Sequence, residues 1–279
     1  MSLMSKLSTT ILLSSLSLFG ATNAEITTFL TKQIGANKNV SDLKITISNR
    51  DTMKEPAGWD SVIVNLKAHV KQGNQERDIE QQMIYFVKGD FITKEFNSLK
   101  TGKALSSSVS PRFEKGYYTK ANLVYGNANA KHKIAIFSDP LCPFCRRFVP
   151  EAMNYMKKYP NDFAVYYYHF PLPALHPASV TLTKAAIATE HKGMKAKVLD
   201  MYKVEINARE TNEQKILDAY NKTVGTSITI MDIHSPAVEK QFAFDKKIAS
   251  KVMVQGTPTI FFDGEKDASK KKYKEVKVK

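Results

Sequence analysis

The chain has 279 residues, of which 43% are hydrophobic and 24% charged, and a formal net charge of +14. That length is enough for two ordinary domains, each with its own core. A charge of this size would suit a nucleic acid or a membrane surface, but the lysines are spread through Lys67, Lys120, Lys157, Lys195, Lys222 and Lys246, and only Lys270 to Lys272 form a short run; the pattern is a solvated basic surface, and no nucleic-acid partner is expected.

The first 24 residues read as a secretory leader. Lys6 gives a positive start, Ile11 to Phe19 is a short apolar run broken by Ser14, Ser15 and Ser17, and Ala21-Thr22-Asn23-Ala24 offers small residues before Glu25, so cleavage is expected after Ala24. The run is too short and uncapped for a core helix. No later stretch reaches the roughly 20 apolar residues that a membrane span needs, and a soluble exported protein is expected. Export places the chain in an oxidising compartment.

Residues 25–100 read as a small α+β unit around an antiparallel sheet. Ile26 to Ile34 has a helical pattern, and Leu43, Ile45 and Ile47 alternate as a strand. Val62, Val64, Leu66, Ala68 and Val70 alternate more strongly, Gln72-Gly73-Asn74-Gln75 supplies a turn, and Arg77 to Val87 returns before a second reversal at Lys88-Gly89-Asp90 and the pair Phe91 and Ile92. His69 falls on the polar phase and reads as a surface residue. No catalytic cluster is visible here.

Residues 101–128, from the Ser106-Ser107-Ser108 stretch through Pro111 to Tyr125-Gly126, read as a linker with helical or irregular parts. From residue 129 to 279 strands and helices alternate. Ile134 to Phe137 is a short buried strand, Phe144 onward is helical with Pro150 inside it, and Phe163 to His169 is a second buried strand. Residues from about 172 to 250 form a long helical insert. A proline then precedes the apolar strand ending at Phe262, the Asp263-Gly264 turn follows, and Tyr273 to Lys279 is expected as one more strand.

The only cysteines, Cys142 and Cys145, stand two residues apart as Cys142-Pro143-Phe144-Cys145 at the strand-to-helix junction. Two cysteines placed at random would take that spacing less than about one time in a hundred. A thiolate at the first turn of a helix meets unsatisfied N–H groups and the positive end of the dipole, which lowers its pKa from the free value of about 8.5. Its partner can then attack the mixed disulfide and release the substrate. Pro143 has no N–H to lose at the first turn, and Phe144 can face a substrate. Zinc is the rival for such a pair, but it needs two further ligands, and His132, His169 and His176 lack ligand-like pairing, so no metal is expected.

The segment Phe137-Ser138-Asp139-Pro140-Leu141-Cys142-Pro143-Phe144-Cys145, together with Thr257-Pro258, resembles the thioredoxin-like fold and, more narrowly, the exported thiol:disulfide interchange proteins of the DsbC and DsbG type. Tyr85 to Ile92 through Gly102-Lys103 resembles the end of that family's N-terminal dimerisation domain. The helical insert, with His176-Pro177-Ala178 at its start, is equally similar to the monomeric oxidase DsbA. The resemblance implies an α/β thioredoxin-like catalytic domain with a helical insertion, preceded by a small α+β (cystatin-like) dimerisation domain, in a V-shaped homodimer.

It further implies a cis Pro258 beside the cysteine pair, Cys142 as the exposed nucleophile, Cys145 as the buried resolving thiol, and a substrate groove of Pro143, Phe144, Thr257 and Pro258. No cofactor beyond the Cys142–Cys145 disulfide is expected. The implied partners are exported cysteine-containing proteins and a DsbD-like or DsbB-like membrane redox protein in the periplasm. Two departures stand out: thioredoxin's buried acid is replaced by Ile136, and no residues remain for the usual terminal helix. Three activities fit this reading: an isomerase or reductase, a DsbA-like oxidase, and a chaperone without redox function.

Overall fold

A computed structural model describes residues 20–278 apart from Asn74 and Lys103. The chain divides into two compact units, residues 1–96 and 97–279. The expected leader lies outside the described residues up to position 19. Its last residues are described: Thr22 caps the first helix, in a reciprocal box where the Thr22 N–H donates to Glu25 at 2.7 Å and the Glu25 N–H donates to Thr22 Oγ1 at 3.2 Å. Arg50 donates to the Ala21 carbonyl, so this stretch is tied into the unit.

The first unit is helix α1 (Asn23–Gly35) on a four-stranded antiparallel sheet of β1 (Val40–Thr52), β2 (Asp60–Gln72), β3 (Gln75–Lys88) and β4 (Phe91–Thr93), in sequence order. The period-2 pattern in the sequence is the pleat itself. Ile45, Val62, Val64, Tyr85 and Val87 face Ile26 and Leu30 of α1 in one buried cluster. Ile63 and Phe86 point the other way and are also buried. On that side Phe96 packs edge-on to Trp59 at 4.5 Å and against Phe86 at 5.4 Å. His69 stays at the surface, 2.9 Å from Asp78.

The second unit holds a five-stranded sheet ordered β5-β7-β6-β8-β9: β5 (Leu123–Tyr125), β7 (Phe163–His169), β6 (His132–Ser138), β8 (Thr259–Phe262) and β9 (Glu265–Lys266). β6 runs parallel to β7 and antiparallel to β8. Alternation along β6 and β7 sends side chains to two cores. Ile134, Ile136, Val165 and Tyr167 meet helix α2 (Pro143–Met156), helix α3 (Ala178–His191) and the helices after it. Ala135, Phe137, Ala164, Tyr166 and Tyr168 meet Phe113 and the end of helix α6 (Pro236–Lys251). Burial on both faces explains why these strands read as continuous apolar runs.

The expected insert is present as α3, a 3-10 stretch over Lys195–Lys203, α4 (Glu213–Val224), α5 (Ile230–Ile233) and α6. Two expectations need correction. Residues 101–128 are not a free linker: Phe113 is 3% exposed among Phe137, Tyr168 and Phe261, and Leu123–Tyr125 adds an edge strand antiparallel to β7. Gly126 permits that approach, because a Cβ there would lie 1.8 Å from the Phe163 carbonyl oxygen.

The end of the chain is also not a strand. It is a single turn, α7 (Lys272–Glu275), in which buried Tyr273 packs on Tyr155 at 5.5 Å and Phe148 at 6.3 Å. Val276 and Val278 continue that cover. One helical turn and two valines thus pack against the α2 side of the core. Val276 and Val278 do alternate with lysines, but the turn at Lys272–Glu275 seats them against the core instead of pairing them in the sheet.

Candidate active site

Cys142 is the N-cap of α2, in extended conformation, with Pro143 as the first helical residue. Cys142 and Cys145 are one turn apart at the sheet's C-terminal edge, just beyond β6. The peptide Thr257–Pro258 is cis, as the resemblance implied, and the Thr257 carbonyl accepts from Cys142 Sγ at 3.5 Å across 115 residues of sequence. Thr257 and Pro258 therefore stand beside the thiol pair. Phe144 is 63% exposed and flanks the same opening, with the Arg147 guanidinium 5.8 Å from its ring centre.

Cys142 is less exposed than expected. It keeps 5% of its surface, against 0% for Cys145, because the Thr257 carbonyl and the loop before α2 close over it. The asymmetry between the two thiols comes from their surroundings. Burial pushes the Cys145 thiol up to about 12, only partly offset by the polar Ser138 and Thr257 side chains beside it.

Beneath the cysteines the place of the missing acid is taken by hydroxyls. Ile136 is fully buried in the core. Two residues on, Ser138 Oγ lies 2.6 Å from the Tyr202 hydroxyl, which lies 2.6 Å from the Tyr167 hydroxyl. Burial holds both phenols protonated far above their ordinary range. Ser138, Tyr202 and Tyr167 form a hydrogen-bonded string of hydroxyls that runs from beside Cys145 into the core.

An acid is present elsewhere. Asp139 is fully buried and accepts from the backbone N–H of Leu141 at 2.7 Å, Cys142 at 3.2 Å and Leu172 at 2.7 Å. His176 Nδ1 is 3.2 Å from the same carboxylate. One side chain thus fastens the loop carrying Cys142 to the start of the helical insert. Arg146 adds a second fastening, donating to the carbonyls of Pro140 and Val204.

The histidines weighed as zinc ligands are dispersed and each faces a carboxylate. His132 Nδ1 pairs with Asp263 at 2.7 Å, and His169 Nε2 pairs with Glu190 at 3.1 Å. His169 is 1% exposed. Its backbone N–H donates to Asp245, whose carboxyl burial pushes up to about 6 while His169 and the hydrogen bonds from His169 and Asn122 pull it back.

The structure thus brings together Cys142, Cys145, Pro143, Phe144, Thr257 and Pro258, and adds Ser138, Asp139, His176, Tyr167 and Tyr202. The added residues carry no spacing signal, except that Asp139 stands three positions before Cys142. Chemically, the pair can undergo thiol–disulfide exchange: one thiolate attacks a disulfide sulfur, and its neighbour displaces the product.

The family model described as thioredoxin matches residues 118–278. The chain belongs to the thioredoxin family. Among solved thioredoxin-like structures, an oxidoreductase from Silicibacter pomeroyi DSS-3 is 22% identical over 53% of this chain and 87% of that one, with a TM-score of 0.41. BdbD from Bacillus subtilis, in its oxidised form, is 17% identical over 60% of this chain and 93% of that one, at 0.47. A periplasmic thioredoxin-like protein from Salmonella enterica serovar Typhimurium is 22% identical over 56% and 88%, at 0.44. No curated protein sequence matches the chain. Among the described residues, no helix of this thioredoxin-family chain is long and apolar enough to cross a membrane.

Proposed function

We propose that the chain is a periplasmic thiol:disulfide interchange enzyme of the DsbC/DsbG type, which isomerises wrong disulfides or reduces oxidised single cysteines of exported proteins. The observation that carries this reading is the asymmetry of the pair. Cys142 caps α2 beside the Thr257 carbonyl, and Cys145 lies behind it with its thiol pushed up to about 12. The Cys142 thiolate attacks a substrate disulfide, forms a mixed disulfide and expels one substrate thiolate. In isomerisation that thiolate, or another in the substrate, attacks back and frees Cys142. A single cysteine oxidised to its sulfenic acid gives the same mixed disulfide, with hydroxide leaving as water; in either reduction Cys145 then attacks Cys142 Sγ, the bound substrate thiol leaves, and the enzyme keeps the oxidation as its Cys142–Cys145 disulfide. A DsbD-like membrane protein would return the electrons, and no cofactor beyond the cysteine pair takes part.

In this reading the first unit serves self-association. It contains no thiol, and a two-fold association through the segment around Tyr85 to Ile92, where β4 is the sheet edge and Phe91 is exposed, would set two sites on one substrate; β2 is interior and takes no direct part. Light scattering on the mature protein tests this: a dimer is expected in the micromolar range, and a strict monomer sinks the assembly. A DsbA-like dithiol oxidase with a DsbB-like partner is the second reading, favoured by the helical insert from α3 to α6. The resting redox state separates the two. A pair kept reduced in cells, with refolding activity on a scrambled disulfide protein, supports the isomerase or reductase; a pair kept oxidised overturns it in favour of the oxidase.

A further inference from the structure

The lysine run at the end of the chain is the part of the sequence that the exchange chemistry does not use. It forms one wall of a groove. Phe144, Arg147 and Phe148 of α2 stand on one side, Lys270, Lys271 and Lys274 on the other, with Pro258 at its inner end and Tyr273 in its floor. Pro258 follows Thr257, whose carbonyl touches Cys142 Sγ, so the groove opens directly beside the reacting sulfur.

The wall is built rather than loose. Asp267 is 2% exposed, accepts from Ser269 Oγ at 2.6 Å and from the Lys272 N–H at 3.1 Å, and its backbone carbonyl accepts from the Lys270 N–H at 3.2 Å. Tyr273 anchors the turn in the core below. The charges on the rim are unbalanced. Glu151 is the one acid lining the groove, and Lys274 already holds it at 2.7 Å. Lys270, Lys271 and Arg147 form no ion pair within 4 Å among the described residues, and Arg147 rests on the exposed Phe144 ring instead.

We infer that this groove takes an acidic stretch of the substrate next to its reactive cysteine, so that Lys270, Lys271 and Arg147 select exported proteins with Asp or Glu flanking the cysteine, while Phe144 and Phe148 take its apolar side chains. The inference deepens the reading of the chain as an interchange enzyme and rests on it. Cation-rich rims act through attraction and exclusion together: an acidic segment is drawn in, and a lysine-flanked cysteine is repelled from the same position.

Two sets of ten-residue peptides test it on the full mature protein. The first carries a cysteine blocked as its neutral methyl disulfide and flanked by Asp and Glu or by Lys; the reduced enzyme transfers two electrons and releases peptide thiol and methanethiol. The second set is fluorescently labelled and has Ser in place of Cys, so that binding is read without redox chemistry. The acidic peptide should react and bind about fivefold better than the basic one, the scale of one or two exposed ion pairs. The preference should fade at 1 M salt. The K270E/K271E variant should reverse the order, and K271E alone, an exposed change, should narrow it.

Equal rates and equal binding for the two peptides, or a preference unchanged in K270E/K271E, overturn the groove assignment while leaving the redox reading in place. Selective binding of the acidic Ser peptide without exchange of either Cys peptide keeps the groove and overturns the redox reading.

Discussion

His176 Nδ1 lies 3.2 Å from the carboxylate of Asp139, three residues ahead of Cys142. Through this contact the first residue of the thiol pair is fixed to the entrance of the helical insert, because the same carboxylate also holds the N–H groups of Leu141, Cys142 and Leu172. Asp139→Asn turns an acceptor of four donors into a group with its own N–H pair, which must face at least one of them. A loss of about 1–3 kcal/mol is expected, with slower exchange. His176→Ala removes only one donor and should cost less. Denaturant unfolding of the two variants checks the order; His176→Ala costing more than Asp139→Asn would show that the histidine rather than the carboxylate holds the loop.

The two thiols should be distinguishable by reagent. With the Cys145 thiol pushed up to about 12 and fully buried, iodoacetamide at neutral pH should label Cys142 first and Cys145 only on unfolding. Cys142→Ser should abolish exchange, and Cys145→Ser should accumulate mixed disulfides with exported proteins. Peptide mapping of the labelled sites gives the answer, and equal labelling would contradict the assignment.

Ser138 should tune the attack of Cys145 on the proposed mixed disulfide. Its hydroxyl lowers the Cys145 thiol against the effect of burial, and Tyr202 and Tyr167 orient it. Ser138→Ala should leave Cys145 still harder to ionise, so mixed disulfides on Cys142 should persist several-fold longer while their formation is unchanged. Quenched-flow trapping of the intermediate measures both rates. A lifetime equal to that of the wild type would mean that the hydroxyl string does not reach the thiol.

Stability should fall as pH rises from mildly acidic to neutral. Burial pushes the Asp245 carboxyl up to about 6 from its ordinary 3.8, so the folded state holds a proton that the unfolded state has lost, and stability declines between these values. His169 adds to this. Burial alone would lower it, but Glu190 and Asp245 outweigh that and raise it, so its contribution is present below about 6.5 and is lost above it, as pH passes the raised value. Thermal melts from pH 4 to pH 8 should show a downward slope of a few kcal/mol at most, and Asp245→Asn should flatten it whatever its effect on absolute stability. An unchanged slope in Asp245→Asn would place the titration elsewhere.

The parts of this fold that were legible in the sequence are those written in local pattern. Alternation from Val62 to Val70 gave β2, the apolar runs at 134–137 and 163–169 gave the two central strands, and the Cys142-Pro143 pair marked the start of α2. Contacts across long sequence separations were not legible. Phe113 and Leu123–Tyr125 read as linker because nothing nearby says that they close the second face of a distant sheet. Tyr202 was hidden for the same reason, since a tyrosine in a polar helical stretch gives no sign of the serine 64 positions earlier that it meets. At the end of the chain, apolar residues at 273, 276 and 278 suggested a strand, whereas they cover α2 from a single helical turn.

The contact between Cys142 and the Thr257 carbonyl also sets the order in which the molecule can become itself. A chain growing from its N-terminus displays both cysteines more than a hundred residues before the partner that closes over them exists, and the lysine rim comes later still. The central strand β6 can pair with β7 early, yet β8, on its other side, arrives only after the whole helical insert. Until then the two sulfurs are ordinary reactive thiols, open to the same wrong pairings as any newly made protein. The enzyme's first encounter with disulfide chemistry is therefore as a client.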